Sequence, residues 1–200
     1  MGSLRKVLTV IGMSFVVLVN RSALAGVGFS VVGAGSYSLP SSSSTVSSKI
    51  GFGGGALLDF SLGPKVGIEL GGLYMLRKFG LTVSTVNFTA VAPAVQIPVV
   101  LRLHLLPALS IGAGGYAAMG MGNVTFTSGA TEIVDTYANN GLKTLDYGLL
   151  GSIGLNIKLA SAFSFILDSR FLFGLAEQSD STGSVKYREL QGLAGFRFGM

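Results

Sequence analysis

The sequence predicts an all-β fold: an eight-stranded antiparallel up-and-down transmembrane β-barrel after a cleaved N-terminal signal peptide. Three observations predict it. Charged residues are only 12% of the 200-residue chain and mean hydropathy is positive, which is too apolar for an ordinary soluble surface. Beyond the N-terminus no apolar run reaches the about 18 residues of a membrane helix, because Gly, Pro, Ser or a charge interrupts each one. The apolar residues instead recur at every second position, the period of a strand with two different faces. The 30 glycines agree with this, since Gly weakens helices and suits positions where side chains must be small.

The N-terminus comes first. MGSLRK is basic, residues 7–19 form an apolar stretch too short for a membrane anchor, and Ala23-Leu24-Ala25 supplies the small residues of a cleavage site. The expected division is a signal peptide over 1–25, cut between Ala25 and Gly26, and a barrel over 26–200. There is no cysteine, hence no lipidated cysteine after the signal and no disulfide framework. The net charge of +5 owes three bases to Arg5, Lys6 and Arg21, leaving eleven bases against nine acids. No nucleic-acid footprint remains.

The first strand is expected over 27–37. In 49–62, Ile50, Phe52, Ala56, Leu58, Phe60 and Leu62 share one face, with Gly51, Gly53, Gly55, Asp59 and Ser61 on the other. Residues 65–78 set Val66, Ile68, Leu70, Tyr74 and Leu76 against Gly67, Glu69, Gly71 and Arg77. Over 91–105, Val95, Ile97, Val99, Leu101, Leu103 and Leu105 face away from Gln96, Arg102 and His104. Pro98 cannot donate to a ladder and marks either a bulge or a weak point in pairing. A weaker strand follows over 109–120. Residues 145–159 oppose Leu145, Tyr147, Leu149, Ile153, Leu155, Ile157 and Leu159 to Asp146, Gly148, Ser152, Gly154, Asn156 and Lys158. Residues 163–175 oppose Phe163, Phe165, Leu167, Phe171, Phe173 and Leu175 to Ser164, Asp168, Arg170 and Gly174. The last strand is 190–200.

A lipocalin-like soluble barrel also alternates, but its polar face would need many Lys, Glu and Asp to stay in solution. Here that face is mostly Gly, Ser and Ala with isolated charges, as suits a narrow interior. Connection lengths agree. Gly63-Pro64, 106–108 and 160–162 are tight turns, whereas 39–48, 79–88, 121–144 and 176–186 are long, the strict alternation of bacterial outer-membrane barrels, whose long loops face outside. Lipid-face aromatics sort into two belts: Tyr37, Phe52, Tyr74, Tyr147 and Phe173 at the loop side, Phe60, Phe163, Phe165, Phe196 and Phe198 at the turn side. The long loop 121–144 carries Glu132 and Asp135 and an expected hairpin turn at Asn139-Asn140-Gly141.

The inward charges Asp59, Glu69, Arg102, His104, Lys158, Asp168, Arg170 and Arg197 form an expected lumen network. Arg77, Asp146 and Glu189 lie nearer the loops. Both signs share each level, and since an isolated buried charge costs several kcal/mol they are expected to pair across the lumen. His104 is the sole histidine and so the one candidate base of a serine–histidine pair. It falls near the turn side, away from outer-leaflet lipid, and reads as a lumen-lining residue. One histidine and no cysteine give no metal-ligand pattern, and nothing points to a cofactor or to catalysis.

The runs QIPVVLRLHLLPALSIGAGGYAAMGMG, TLDYGLLGSIGLNIKL and LQGLAGFRFGM resemble blocks of the small bacterial outer-membrane β-barrel domain proteins that include the PorT-like group, over residues 26–200. The resemblance implies outer-membrane lipid as surroundings, passage through the barrel assembly machinery, and an envelope or secretion partner met through the loops. Such barrels usually end on an aromatic residue; here the end is Phe198-Gly199-Met200, with Phe196 and Phe198 keeping the alternation. The expected role is a structural or interaction barrel of the outer membrane with a closed lumen. The alternative is a narrow pore for small ions or solutes.

Overall fold

The computed structural model describes residues 26–39, 46–83, 86–137, 139, 143–177 and 186–199. The signal segment and the expected turn residues Asn140 and Gly141 lie outside them. Among the described residues eleven strands form one antiparallel sheet: β1 (Gly26–Ser38), β2 (Val46–Ser48), β3 (Ile50–Ser61), β4 (Val66–Val83), β5 (Val86–His104), β6 (Leu109–Gly120), β7 (Asn123–Ser128), β8 (Thr131–Thr136), β9 (Leu145–Ala160), β10 (Phe163–Glu177) and β11 (Lys186–Phe198). From β1 the ladders run to β3, β4, β5, β6, β9, β10 and β11, and β11 pairs with β1 again. The path through these eight strands ends where it began, leaving no open edge along it.

The other three strands are short and lie in segments read from the sequence as loops. β2 adds to β4, β7 adds to β5, and β8 adds to β7. The expected loop over 79–88 is mostly strand as well, since β4 continues to Val83 and β5 starts at Val86. Aromatic and β-branched residues supply the strand preference there: Phe79, Thr82 and Val83 on one side, Val86, Phe88 and Thr89 on the other. The hairpin of β7 and β8 turns at Gly129-Ala130. Gly129 has φ 59°, and glycine takes that left-handed position without the strain a Cβ brings.

Burial inverts the pattern of a soluble protein. Ile153 is 61% exposed, while Arg170 and Glu189 are fully buried. Along β9 exposed and buried residues alternate from Leu145 to Leu155, so the apolar face is outward and the polar face inward. Beside Gly, Ser, Ala and the charges, the inward face also carries large apolar side chains. Val32, Leu57, Leu73, Met75, Ile166 and Leu193 form one buried cluster, and Val100, Tyr116, Ala118, Leu150 and Leu172 another. Several sit inside apolar runs, such as Leu149-Leu150, Phe165-Ile166-Leu167 and Phe171-Leu172-Phe173, in which both faces of the strand are apolar. Among the described residues no helix is long and apolar enough to cross a membrane.

Pro98 marks a weak point, not a bulge. The β4–β5 ladder pairs Leu70 with Val99 and Leu73 with Gln96, and lacks the two bridges between without changing register. That register sets Gly71 opposite Pro98. A Cβ on Gly71 would lie 2.6 Å from Leu57 Cδ2 and 2.9 Å from Pro98 Cγ, so glycine is what admits the proline ring and the leucine together.

Candidate functional site

The inward side chains stack in levels that can be followed along β11 from the turn side: Arg197, Leu193, Gln191, Glu189. At the first level Arg197 Nη2 lies 2.8 Å from Asp59 Oδ2, and its Nε donates to Ser30 Oγ at 3.3 Å. Deeper in, two arginines and two carboxylates form a closed quartet. Arg102 donates through Nε and Nη2 to Glu69 Oε2, at 3.1 and 2.7 Å, and to both oxygens of Asp168. Arg170 donates to the same two acids, through Nη2 to Glu69 Oε1 at 2.7 Å and through Nε to Asp168 Oδ2 at 2.8 Å. The four residues are at most 7% exposed. Two positive and two negative charges cancel, and the forked guanidinium geometry allows each arginine to bridge both acids.

Gln96 and Gln191 then exchange amide hydrogen bonds of 3.0 and 3.4 Å. Nearer the loops Arg77 Nη1 donates to Asp146 Oδ2 at 2.9 Å, its Nε lies 3.8 Å from Glu189, and its guanidinium sits 4.4 Å from the centre of the Tyr187 ring. The Tyr116 hydroxyl donates to Asp146 Oδ2 at 3.2 Å. Above this, Ala90, Ala92, Val124 and Tyr137 form an apolar cluster with Phe79 and Phe126 against it. The Tyr137 hydroxyl donates to Pro93 O at 2.5 Å, and burial pushes it up to about 12.

Of the eight inward charges named from the sequence, Asp59, Glu69, Arg102, Asp168, Arg170 and Arg197 lie in these pairings. Lys158 does not join them. It is exposed, because the alternation ends there: residues 157–162 are all exposed and the β9–β10 register shifts next to it. His104 is half-buried and lines a cavity of about 20 Å³ with Asp59, Arg102, Ser110, Asn156 and Arg197, space for about one water. Ser110 is its ladder partner, but the Ser110 hydroxyl donates to Gly154 O at 3.4 Å. The sequence reading did not single out Tyr116, Tyr187, Ser30 or the Gln96–Gln191 pair for the interior; their place on the inward parity of each strand was the available signal.

The family model described as "Outer membrane protein beta-barrel domain" matches residues 20–180. The chain belongs to that family. Its location is the outer membrane. Among solved structures it is similar to Ail, the attachment invasion locus protein of Yersinia pestis, at 13% identity and TM-score 0.47, over 86% of this chain and 98% of that one. Neisserial surface protein A matches at 12% identity and TM-score 0.49 over 85% and 96%, and OprG from Pseudomonas aeruginosa at 15% and 0.41 over 88% and 97%. No curated protein sequence matches the chain.

In this outer-membrane barrel-family chain the outward aromatics fall in two groups, one toward the loop side and one toward the turn side. Tyr37, Phe52 and Tyr147 are exposed near the loop-side ends of their strands, Tyr74 is exposed in the middle of the long β4, and Phe173 is half-buried toward the loop side of β10. At the turn side Phe196 and Phe198 are exposed, and Phe60, Phe163 and Phe165 half-buried. Phe163 stacks on Phe196 with ring centres 5.2 Å apart, and Phe165 meets Phe196 at 5.5 Å.

Proposed function

We propose that the protein is a structural or interaction barrel of the outer membrane whose transmembrane body is the closed path of eight long strands and whose lumen is shut. The observation that carries this is the quartet of Arg102, Arg170, Glu69 and Asp168, buried and mutually bonded across the interior. Eight strands enclose a space that side chains just fill, and the apolar side chains around the quartet fill it further. With the lumen closed, recognition falls to the loop side, where β2, β7, β8 and the extended β4–β5 hairpin build a sheet outside the membrane. Envelope or secretion partners of the kind the PorT-like resemblance implies would meet the chain there. Planar-bilayer recording tests the reading: the purified protein is expected to give no steady conductance. Stable ion-selective steps that change in Arg102→Met would overturn it in favour of the narrow pore.

A further inference from the structure

The buried charges of the interior do not balance at every level. Toward the turn side Arg197 meets Asp59, and in the quartet two arginines meet two acids. At the loop-side level Arg77 is the one buried cation among the described residues, and it faces two buried acids, Asp146 and Glu189. Asp146 is well supplied, accepting from Arg77 Nη1 at 2.9 Å and from the Tyr116 hydroxyl at 3.2 Å. Glu189 is not. It is fully buried, neither of its carboxylate oxygens has a hydrogen-bond partner, and Arg77 Nε stands 3.8 Å away, too far for a hydrogen bond. One negative charge is left over where an uncompensated charge is strongly unfavourable.

The other bases of this end are turned elsewhere. Lys78 and Arg188, which adjoin Arg77 and Glu189 in sequence, take the outward parity and lie over the rings of Phe52 and Phe173. Lys49 and Lys143 are exposed, and Lys186 is the ladder partner of Glu177. The loop segments outside the described residues, 40–45, 84–85, 138, 140–142 and 178–185, contain no Lys, Arg or His. Water satisfies hydrogen bonds but carries no charge. A proton on Glu189 needs an acceptor, and the Glu189 oxygens meet none. A second, neutral group points the same way. Ser36 is inward on β1, two residues from Ser38, the ladder partner of Glu189, and its buried hydroxyl also lacks a partner.

We infer that the loop-side level of the lumen is a binding site for one small monovalent cation, of the sodium or potassium kind, held by the Glu189 carboxylate. Carboxylate and hydroxyl oxygens are the hard ligands such ions take. A divalent ion would leave excess positive charge beside Arg77, and an organic cation is too large for an interior that eight strands leave just wide enough for side chains. The test follows thermal unfolding of the full barrel in a non-ionic detergent by heat-modifiable gel migration, in sodium, potassium or choline chloride at equal ionic strength. Choline matches the screening but is too bulky to enter. The midpoint in sodium or potassium should lie at least about 3 °C above that in choline, as binding to the folded state alone requires. Glu189→Gln removes the excess charge and should bring the midpoints together. Equal midpoints of the unaltered protein in all three salts would overturn the site, as would a sodium or potassium shift that survives in Glu189→Gln. Should that variant not fold, Asp146→Asn removes the excess charge at the other acid, and a shift that survives there overturns the site equally.

Discussion

Arg102 touches both acids of the quartet, and so does Arg170. Losing one arginine therefore leaves two buried carboxylates sharing the other. Arg102→Met is expected to destabilise the barrel by about 3–5 kcal/mol, the usual cost of leaving a buried charge without its partner. Adding Glu69→Gln or Asp168→Asn should recover part of that loss, and refolding titrations of the single and double variants give the coupling. Coupling near zero for both pairs would mean that Arg102 stands in water. The adjoining glycine belongs to the same unit. A Cβ on Gly154 would lie 2.9 Å from Arg102 Nη1 and 3.0 Å from Ser110 Oγ, so Gly154→Ser, mild by its parity alone, crowds the quartet instead. At the mouth, burial raises the Tyr137 hydroxyl to about 12. A group whose pKa is higher folded than unfolded contributes its full stability below the unfolded value, near 10 for tyrosine. That contribution is lost as pH rises through the folded value. Difference absorbance of the wild type against Tyr137→Phe should accordingly show one phenol ionising near pH 12. A midpoint near 10 would place the ring in water.

At the scale of the element, the β4–β5 hairpin is the longest in the chain and carries the interruption at Pro98. Gly71 and Gly72 are neighbours with opposite surroundings: the first faces Leu57 and Pro98, and around the second a Cβ meets nothing within 4 Å. Gly71→Ala should cost about 1–3 kcal/mol by overpacking, whereas Gly72→Ala should change stability by no more than about 0.5 kcal/mol. Urea unfolding of both in one detergent makes the comparison, and equal effects would mean that the pairing of Gly71 with Pro98 is misread. The same hairpin shows why a loop was expected where strand continues. Residues 79–88 mix Gly, Ser, Thr and Asn with apolar residues, as loops do, and beyond their own β4–β5 pairing the strands there are flanked by β2 at residues 79–81 and by β7 at residues 89–91. Partners of that kind are not local in sequence.

For the molecule as a whole the surroundings are lipid outside and paired charges inside, an arrangement in which polarity errors on the outer wall are costly. Leu101 is 55% exposed and outward on β5, three residues from its turn-side end. Leu101→Arg is expected to cost about 1–3 kcal/mol in a bilayer, less than at the midplane because the position lies toward the rim, measured by folding titration into lipid vesicles. Little effect would put that face against protein or water. Closure of the path through β11 and β1 is what makes this wall continuous, because a spanning sheet cannot leave unpaired backbone groups in hydrocarbon.

The sequence by itself determined which way each regular strand faces. Period-two alternation is a local property, so Leu101, Tyr147 and Ile153 could be read as outward, and Glu69, Arg102 and Asp168 as inward, without knowing any neighbour. Only the tertiary structure decided who meets whom. The quartet joins residues 33, 66 and 101 positions apart, and their contact depends on ladder register and closure, which alternation does not fix. The apolar filling was hidden for a related reason: in a run such as Phe171-Leu172-Phe173 the inward leucine is indistinguishable from its outward neighbours until the curved sheet separates the faces. Lys158 shows the converse. Its parity is inward, but the register shift at the end of β9 places it beyond the rim, where there is no lumen to face.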